Sequence, residues 1–111
     1  MPEKYSIEWS SYSISDLDCI FECLALNDSL QVAEKLYIKL TEKIDSLYQY
    51  PLRCRIVPEL RRIGILEFRE LIVSPFRIFY RIYQTKVVLV GILDGRRDLE
   101  EVLIQRSLLF P

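Results

Sequence analysis

The residues best equipped for chemistry in this chain of 111 residues are arginines set beside aromatic rings. In Phe76-Arg77-Ile78-Phe79-Tyr80-Arg81-Ile82-Tyr83, period-two alternation puts Arg77, Phe79, Arg81 and Tyr83 on one face and Phe76, Ile78, Tyr80 and Ile82 on the other. Guanidinium groups interleaved with rings suit base stacking with phosphate contact, or docking of an acidic, apolar peptide. The same pattern also describes an ordinary sheet face covered by a C-terminal helix. A second cluster follows in Ile92-Leu93-Asp94-Gly95-Arg96-Arg97-Asp98-Leu99-Glu100-Glu101, where an apolar run stops at a turn bearing Asp94, Arg96 and Arg97. That turn reads as a catalytic loop, a clamp for a phosphate or a partner, or a plain strand-to-helix junction in which Asp98, Glu100 and Glu101 favour the helix N-terminus.

Several chemistries are excluded. The chain has no histidine, which removes Ser-His-Asp, Cys-His and two-histidine metal sites together. Its three cysteines, Cys19, Cys23 and Cys54, make a poor zinc set, and an odd number argues against a disulfide framework. Buried or half-buried free thiols are expected instead, with no metal and no cofactor. The formal net charge of −1 conceals an asymmetry: residues 1–50 carry 4 lysines against 9 acids, residues 51–111 carry 10 arginines and 1 lysine against 7 acids. An arginine-rich half suits bidentate contact with carboxylates or phosphates, so a polyanion or an acidic protein partner is expected.

Half of the residues are apolar and 12% aromatic, enough for an ordered core in one domain spanning 1–111. The longest apolar stretch, Val87 to Leu93, is strand-sized, and the charged N-terminus lacks an apolar signal core. A cytoplasmic protein without a membrane partner is therefore expected.

The elements that must position the arginines can be read from periodicity. Tyr5 to Trp9 alternates as a short strand. Ser13 and Asp16 resemble a capping arrangement for a helix with Ile14, Leu17, Ile20, Phe21 and Leu24 on its apolar face. Asn27-Asp28-Ser29 caps a second helix with Ala33, Leu36, Tyr37, Leu40, Ile44, Leu47 and Tyr48 in one stripe, ending before Pro51. Residues 52–60 predict an irregular crossing segment. Phe68–Val73, Phe76–Tyr83 and Lys86–Leu93 predict strands joined by turns so short that they must form antiparallel hairpins. Val87-Val88-Leu89-Val90, apolar on both faces, predicts a central strand. Asp98 to Leu109 predicts a last helix with Leu99, Val102, Leu103 and Leu109 inward. The sum is an α+β fold: an N-terminal strand, a helical hairpin packed on an antiparallel sheet of about four strands, and a C-terminal helix. Arg69 shares a face with the helices if Ser74-Pro75 is a two-residue turn, and with Arg77 and Arg81 if the loop has three residues.

Val57-Pro58-Glu59-Leu60, Phe68-Arg69-Glu70-Leu71, Pro75-Phe76-Arg77-Ile78-Phe79-Tyr80-Arg81-Ile82 and Gly95-Arg96-Arg97-Asp98-Leu99, in that order, resemble the RelE/ParE superfamily of toxins from type II toxin–antitoxin modules. The resemblance covers nearly the whole chain. It implies two helices on an antiparallel sheet and a cognate antitoxin whose acidic C-terminal segment wraps the toxin in a hetero-oligomer. It also implies one of two activities: poisoning of DNA gyrase, or ribosome-dependent cleavage of mRNA. Cleavage by 2′-hydroxyl attack needs a base, an acid and cations for the developing charge. RelE-like members use clustered Lys or Arg with a Tyr or His near the C-terminus, whereas residues 104–111 here hold neither. Asp94 stands where relatives often have His, and Leu71, Ile72 and Val73 stand where a catalytic Arg tends to lie. Lysines, frequent in RelE-like sites, are missing from this half except at Lys86. The spacing from Arg69 to Phe76 also looks ParE-like, so the resemblance leans to a gyrase poison that is not an enzyme. If the protein were a nuclease, Arg77, Arg81 and Arg96 would stabilise charge while Tyr83 or Asp94 moved protons. A non-toxic interaction domain is the third reading. The expected contact surface for partner or target is Arg69, Arg77, Phe79, Arg81, Tyr83, Arg96 and Arg97. The apolar tail with Leu103, Leu108, Leu109 and Phe110 reads either as a partner patch or as packing on the protein's own core.

Overall fold

A computed structural model describes residues 4–110. The chain runs β1 (Ser6–Trp9), α1 (Ser11–Asn27), α2 (Leu30–Asp45), α3 (Pro58–Arg61), β2 (Phe68–Val73), β3 (Phe76–Tyr83), β4 (Lys86–Asp94) and α4 (Glu100–Leu109), with single 3-10 turns at Ser46–Tyr48 and Pro51–Arg53. The sheet order is β1-β4-β3-β2. The two hairpins are antiparallel as their short turns demand, and β1 joins β4 in parallel, so the sheet is mixed at that edge.

Helix α1 begins earlier than the Ser13–Asp16 pattern suggests. Ser10 is its N-cap, and the Ser10 hydroxyl accepts from Ser13 N–H at 3.1 Å. Ser13 lies buried in the first turn, and Asp16 is free for a long-range role. Ser29 caps α2 by accepting from Val32 N–H at 3.1 Å. Leu17, Leu40, Ile44 and Leu47 close on Val73, Phe76, Ile78, Tyr80, Val87, Leu89 and Ile92 in the main core. Tyr80 donates its hydroxyl to the Pro51 carbonyl, and burial pushes its ionisation far above the usual tyrosine range.

The opposite face of the sheet has its own core. Val57 and Leu60 from the crossing segment, and Leu99 and Leu103 from the C-terminal one, cover Phe68, Phe79 and Val90. The crossing segment is less irregular than expected, because Pro58 opens α3, where its missing N–H costs nothing. Four expectations are corrected by burial. Leu109 points outward at 52% exposure, Ile14 is exposed at 49%, Tyr37 and Tyr48 of the expected second-helix stripe are exposed too, and Cys19 and Cys23 are surface thiols, with only Cys54 half-buried.

A β-bulge links the layers. Phe79 pairs with Gly91 and Tyr80 with Leu89, leaving Val90 as the extra residue. Strand β1 ends at Trp9 opposite Leu89, so β4 loses its neighbour there. Two side chains replace the missing strand. The Asp16 carboxylate accepts Ile92 N–H at 3.0 Å, and Arg106 Nη1 donates to the Val90 carbonyl at 3.0 Å. The two also pair with each other at 2.6 Å, tying α1, β4 and α4 together. A Cβ at Gly91 would fall 2.2 Å from Arg106 Nη1, so only glycine admits the guanidinium. Among the described residues no helix is long and apolar enough to cross a membrane.

Candidate functional site on the arginine face

Strand alternation and the Ser74-Pro75 turn decide which side chains meet. Val73 pairs with Phe76, so the turn has two residues and Arg69 lies opposite Tyr80 on the helix side of the sheet. Arg69 is occupied there, donating to the Cys54 carbonyl at 2.6 Å. It is thus separated by the sheet from Arg77 and Arg81. Phe79 belongs to the second core at 1% exposure, so the face that read as either an open platform or a covered surface is the covered one.

At the β2–β3 turn end of that face Arg77 sits between two carboxylates. Its Nη1 and Nη2 donate to Glu59 at 2.7 and 2.8 Å, and its Nε donates to Glu70 Oε1 at 2.9 Å. The guanidinium also lies 5.1 Å from the centre of the Phe79 ring. The Glu70 side chain is fully buried, and Arg55 Nε donates to its other oxygen at 2.6 Å. Two arginines and two glutamates therefore neutralise one another. The Arg77 hydrogen bonds hold the Glu59 carboxyl below the usual carboxylate range, and the Glu59 contact in turn raises Arg77 still further from deprotonation. Removing either glutamate would leave a largely buried charge short of its partner. Glu59, Glu70 and Arg55 were not among the expected site residues. The available signal was Glu70 itself, an acid on the same strand face as the apolar Phe68.

The Asp94–Arg97 turn closes the same end. Gly95 N–H donates to the Pro75 carbonyl at 2.8 Å, and a Cβ at Gly95 would lie 2.8 Å from Arg77 Cδ, so glycine lets the arginine stem pass. Asp94 grips Arg96 through Nε at 3.0 Å and Nη2 at 2.7 Å. Those bonds, with Arg96 N–H, pull the Asp94 carboxyl down to about 2. It is ionised at neutral pH and has little appetite for a proton. The walls of the resulting groove, about 680 Å³, include Arg55, Arg62, Arg77, Arg96 and Glu59. Arg97 faces a separate groove beside α1. Arg81 and Tyr83 lie towards the other end of β3, where Arg81 Nη1 donates to the Phe110 carbonyl. The expected residues thus divide: Arg77 and Arg96 together, Arg81 and Tyr83 together, Arg69 and Arg97 elsewhere. The apolar tail divides too, with Leu103 in the second core, Phe110 edge-on to Tyr12, and Leu108 and Leu109 exposed.

Comparisons with known proteins bear on the family and the fold. The sequence model of the family described as ParE toxin of type II toxin–antitoxin system, parDE, matches residues 7–99. The fold is similar to a chain of the chromosomal ParDE toxin–antitoxin system from P. aeruginosa. There the TM-score is 0.70 at 19% identity, over 83% of this chain and 97% of that one. It is also similar to a chain of the RelBE2 toxin–antitoxin complex from Mycobacterium tuberculosis, with TM-score 0.61 and 17% identity over 82% and 91% of the two chains. No curated protein sequence matches the chain.

Proposed function

Because the chain belongs to the family of ParE toxins of type II toxin–antitoxin systems, we propose that it restrains growth in the cytoplasm by binding and poisoning DNA gyrase. A cognate antitoxin would hold it inactive in a hetero-oligomer; the solved relatives come from toxin–antitoxin assemblies, which supports such a partner. The reading rests on the state of the groups that RNA cleavage would need. Arg77 is neutralised by Glu59 and Glu70, and Asp94, held at about 2 by Arg96, is a poor base at pH 7. Tyr83, the other proton carrier considered, stands with Arg81 towards the far end of β3 from Asp94. A toxin without a matched acid and base acts by occupying a surface, and the groove offers an acidic segment of target or antitoxin Arg62 together with Arg55 and Arg96, whose side chains stay exposed beyond their own ion pairs.

The same arginines also favour a second reading, a ribosome-dependent endoribonuclease, since a phosphate would suit them equally. One pair of assays separates the two. Purified toxin is expected to block supercoiling by gyrase and to leave mRNA uncut in a reconstituted translation system. Intact supercoiling at excess toxin, with codon-positioned cuts in the mRNA, would reverse the assignment.

A further inference from the structure

Helix α1 carries two exposed thiols, Cys19 and Cys23, one turn apart on an unbroken helix. Both line a groove of about 330 Å³ whose opposite wall is the end of β4 and the turn beyond it, a volume in the range of small-ligand sites. Exposed thiols beside positive charge are the ones that react. The pair is not placed to react with itself. Side chains four apart on a helix have Cβ atoms about 5–6 Å apart, whereas a disulfide bridges about 3.5–4.5 Å. Asn27 Nδ2 donates to Cys23 Sγ at 3.3 Å, which turns that sulfur towards the end of the helix and away from Cys19. A group attached to one thiol is therefore not expelled by the other while α1 stays intact.

The charges lining the groove say what it would take up. Asp16 pairs with Arg106 and Asp94 with Arg96, which leaves Arg97 with no ion pair among the described residues and the groove with one net positive charge. We propose that this groove is a thiolation site, where Cys19 or Cys23 exchanges with a small, carboxylate-bearing disulfide whose negative charge Arg97 attracts. The cysteine thiolate attacks one sulfur of the incoming disulfide and forms a new S–S bond. The old S–S bond breaks, and the other half leaves as a thiolate that takes a proton from water. The cysteine is oxidised and the departing half reduced. The adduct then lies against the Arg96–Arg97 turn, and a reducing thiol restores the free protein by the reverse exchange. The groove is separate from the one beside Arg77, and the inference does not depend on gyrase being the target.

The test treats the full, reduced chain with glutathione disulfide, which is anionic, and with 2-hydroxyethyl disulfide, which is neutral. Mass spectrometry and peptide mapping follow the adducts. Glutathione disulfide is expected to modify Cys19 or Cys23 before the half-buried Cys54. Arg97→Gln should slow that reaction about threefold, the size of an exposed ion pair, and leave the rate with the neutral disulfide unchanged. The threefold difference should vanish in about 1 M salt. Cys19→Ser and Cys23→Ser combined should abolish the fast adduct. First modification at Cys54 would overturn the proposal, as would an Arg97→Gln variant that slows both disulfides equally or neither. So would conversion of the adduct in the folded protein to a disulfide between Cys19 and Cys23, because the groove would then not retain the attached group.

Discussion

Arg77 shows how a residue suited to chemistry can be committed to architecture. Taken alone, an arginine between aromatics on a strand invites a phosphate. In place, it is shared by Glu59 from α3 and the buried Glu70 from β2, so its charge closes the second core rather than waiting for a ligand. The pairing has a pH signature. Glu59 titrates below its ordinary value of 4.5, chiefly because Arg77 donates to it. A carboxylate with a lowered folded value adds stability that is complete above its unfolded value and is lost as the pH falls through the folded one. Urea midpoints should show Glu59→Gln less stable than the native protein at pH 7, with the gap closing as the pH falls below the ordinary value of 4.5. A gap that stayed unchanged across the whole acid range would show that the glutamate acts by packing and not by charge.

At the scale of elements, the informative feature is the end of β1. Once that strand stops opposite Leu89, the β4 backbone would be left with unpaired groups, and buried peptide groups are costly when unmatched. Asp16 and Arg106 take the place of a strand, and Gly91 provides the room. One consequence is non-additivity. Gly91→Ala displaces the Arg106 guanidinium, and Arg106→Ala removes it, each at roughly 2 kcal/mol for the lost charge-assisted bonds. The double variant should cost little more than Arg106→Ala alone, because the alanine methyl then enters space that the guanidinium has left. Additive costs in urea unfolding would mean that the glycine serves another purpose. The Asp94-Gly95-Arg96-Arg97 turn obeys the same economy: Asp94 holds Arg96, Gly95 admits the Arg77 stem, and Asp98 accepts the Glu100 N–H at 3.2 Å near the start of α4.

The whole molecule consists of one sheet between two cores of unequal size. The hairpin side gathers most of the aliphatic stripe of α1 and α2, while the other side is smaller and is ringed by ion pairs. Strand β4 is apolar on both faces because it borders both cores, with Val87, Leu89 and Ile92 on one side and Val90 on the other. Its amides should therefore exchange with solvent only through global opening, with those of α4 and its exposed Leu108 and Leu109 exchanging sooner. Equal protection of α4 and β4 would argue that the layers open together. The charge asymmetry of the chain also becomes spatial. The hairpin derives from the acidic half, and both layers of the arginine face from the basic half.

The sequence by itself determined what depends on neighbours along the chain. Strand limits at Phe68–Val73 and Phe76–Tyr83 follow from alternation between tight turns, the α2 stripe from helical period, and β4 as a central strand from its two apolar faces. The ordered motifs around Pro58, Arg69, Arg77 and Arg96 also sufficed for the family. What the tertiary structure decided is which charges meet. Glu59 lies 18 positions from Arg77 and Asp16 lies 90 from Arg106, and nothing in local spacing couples them. Arg69 fell on the helix side because a single turn length sets the face of every residue in β2. Periodicity is local and so can be read along the chain, whereas a counter-ion is selected by packing in three dimensions. For that reason the arginines were visible from the start, and their partners were not.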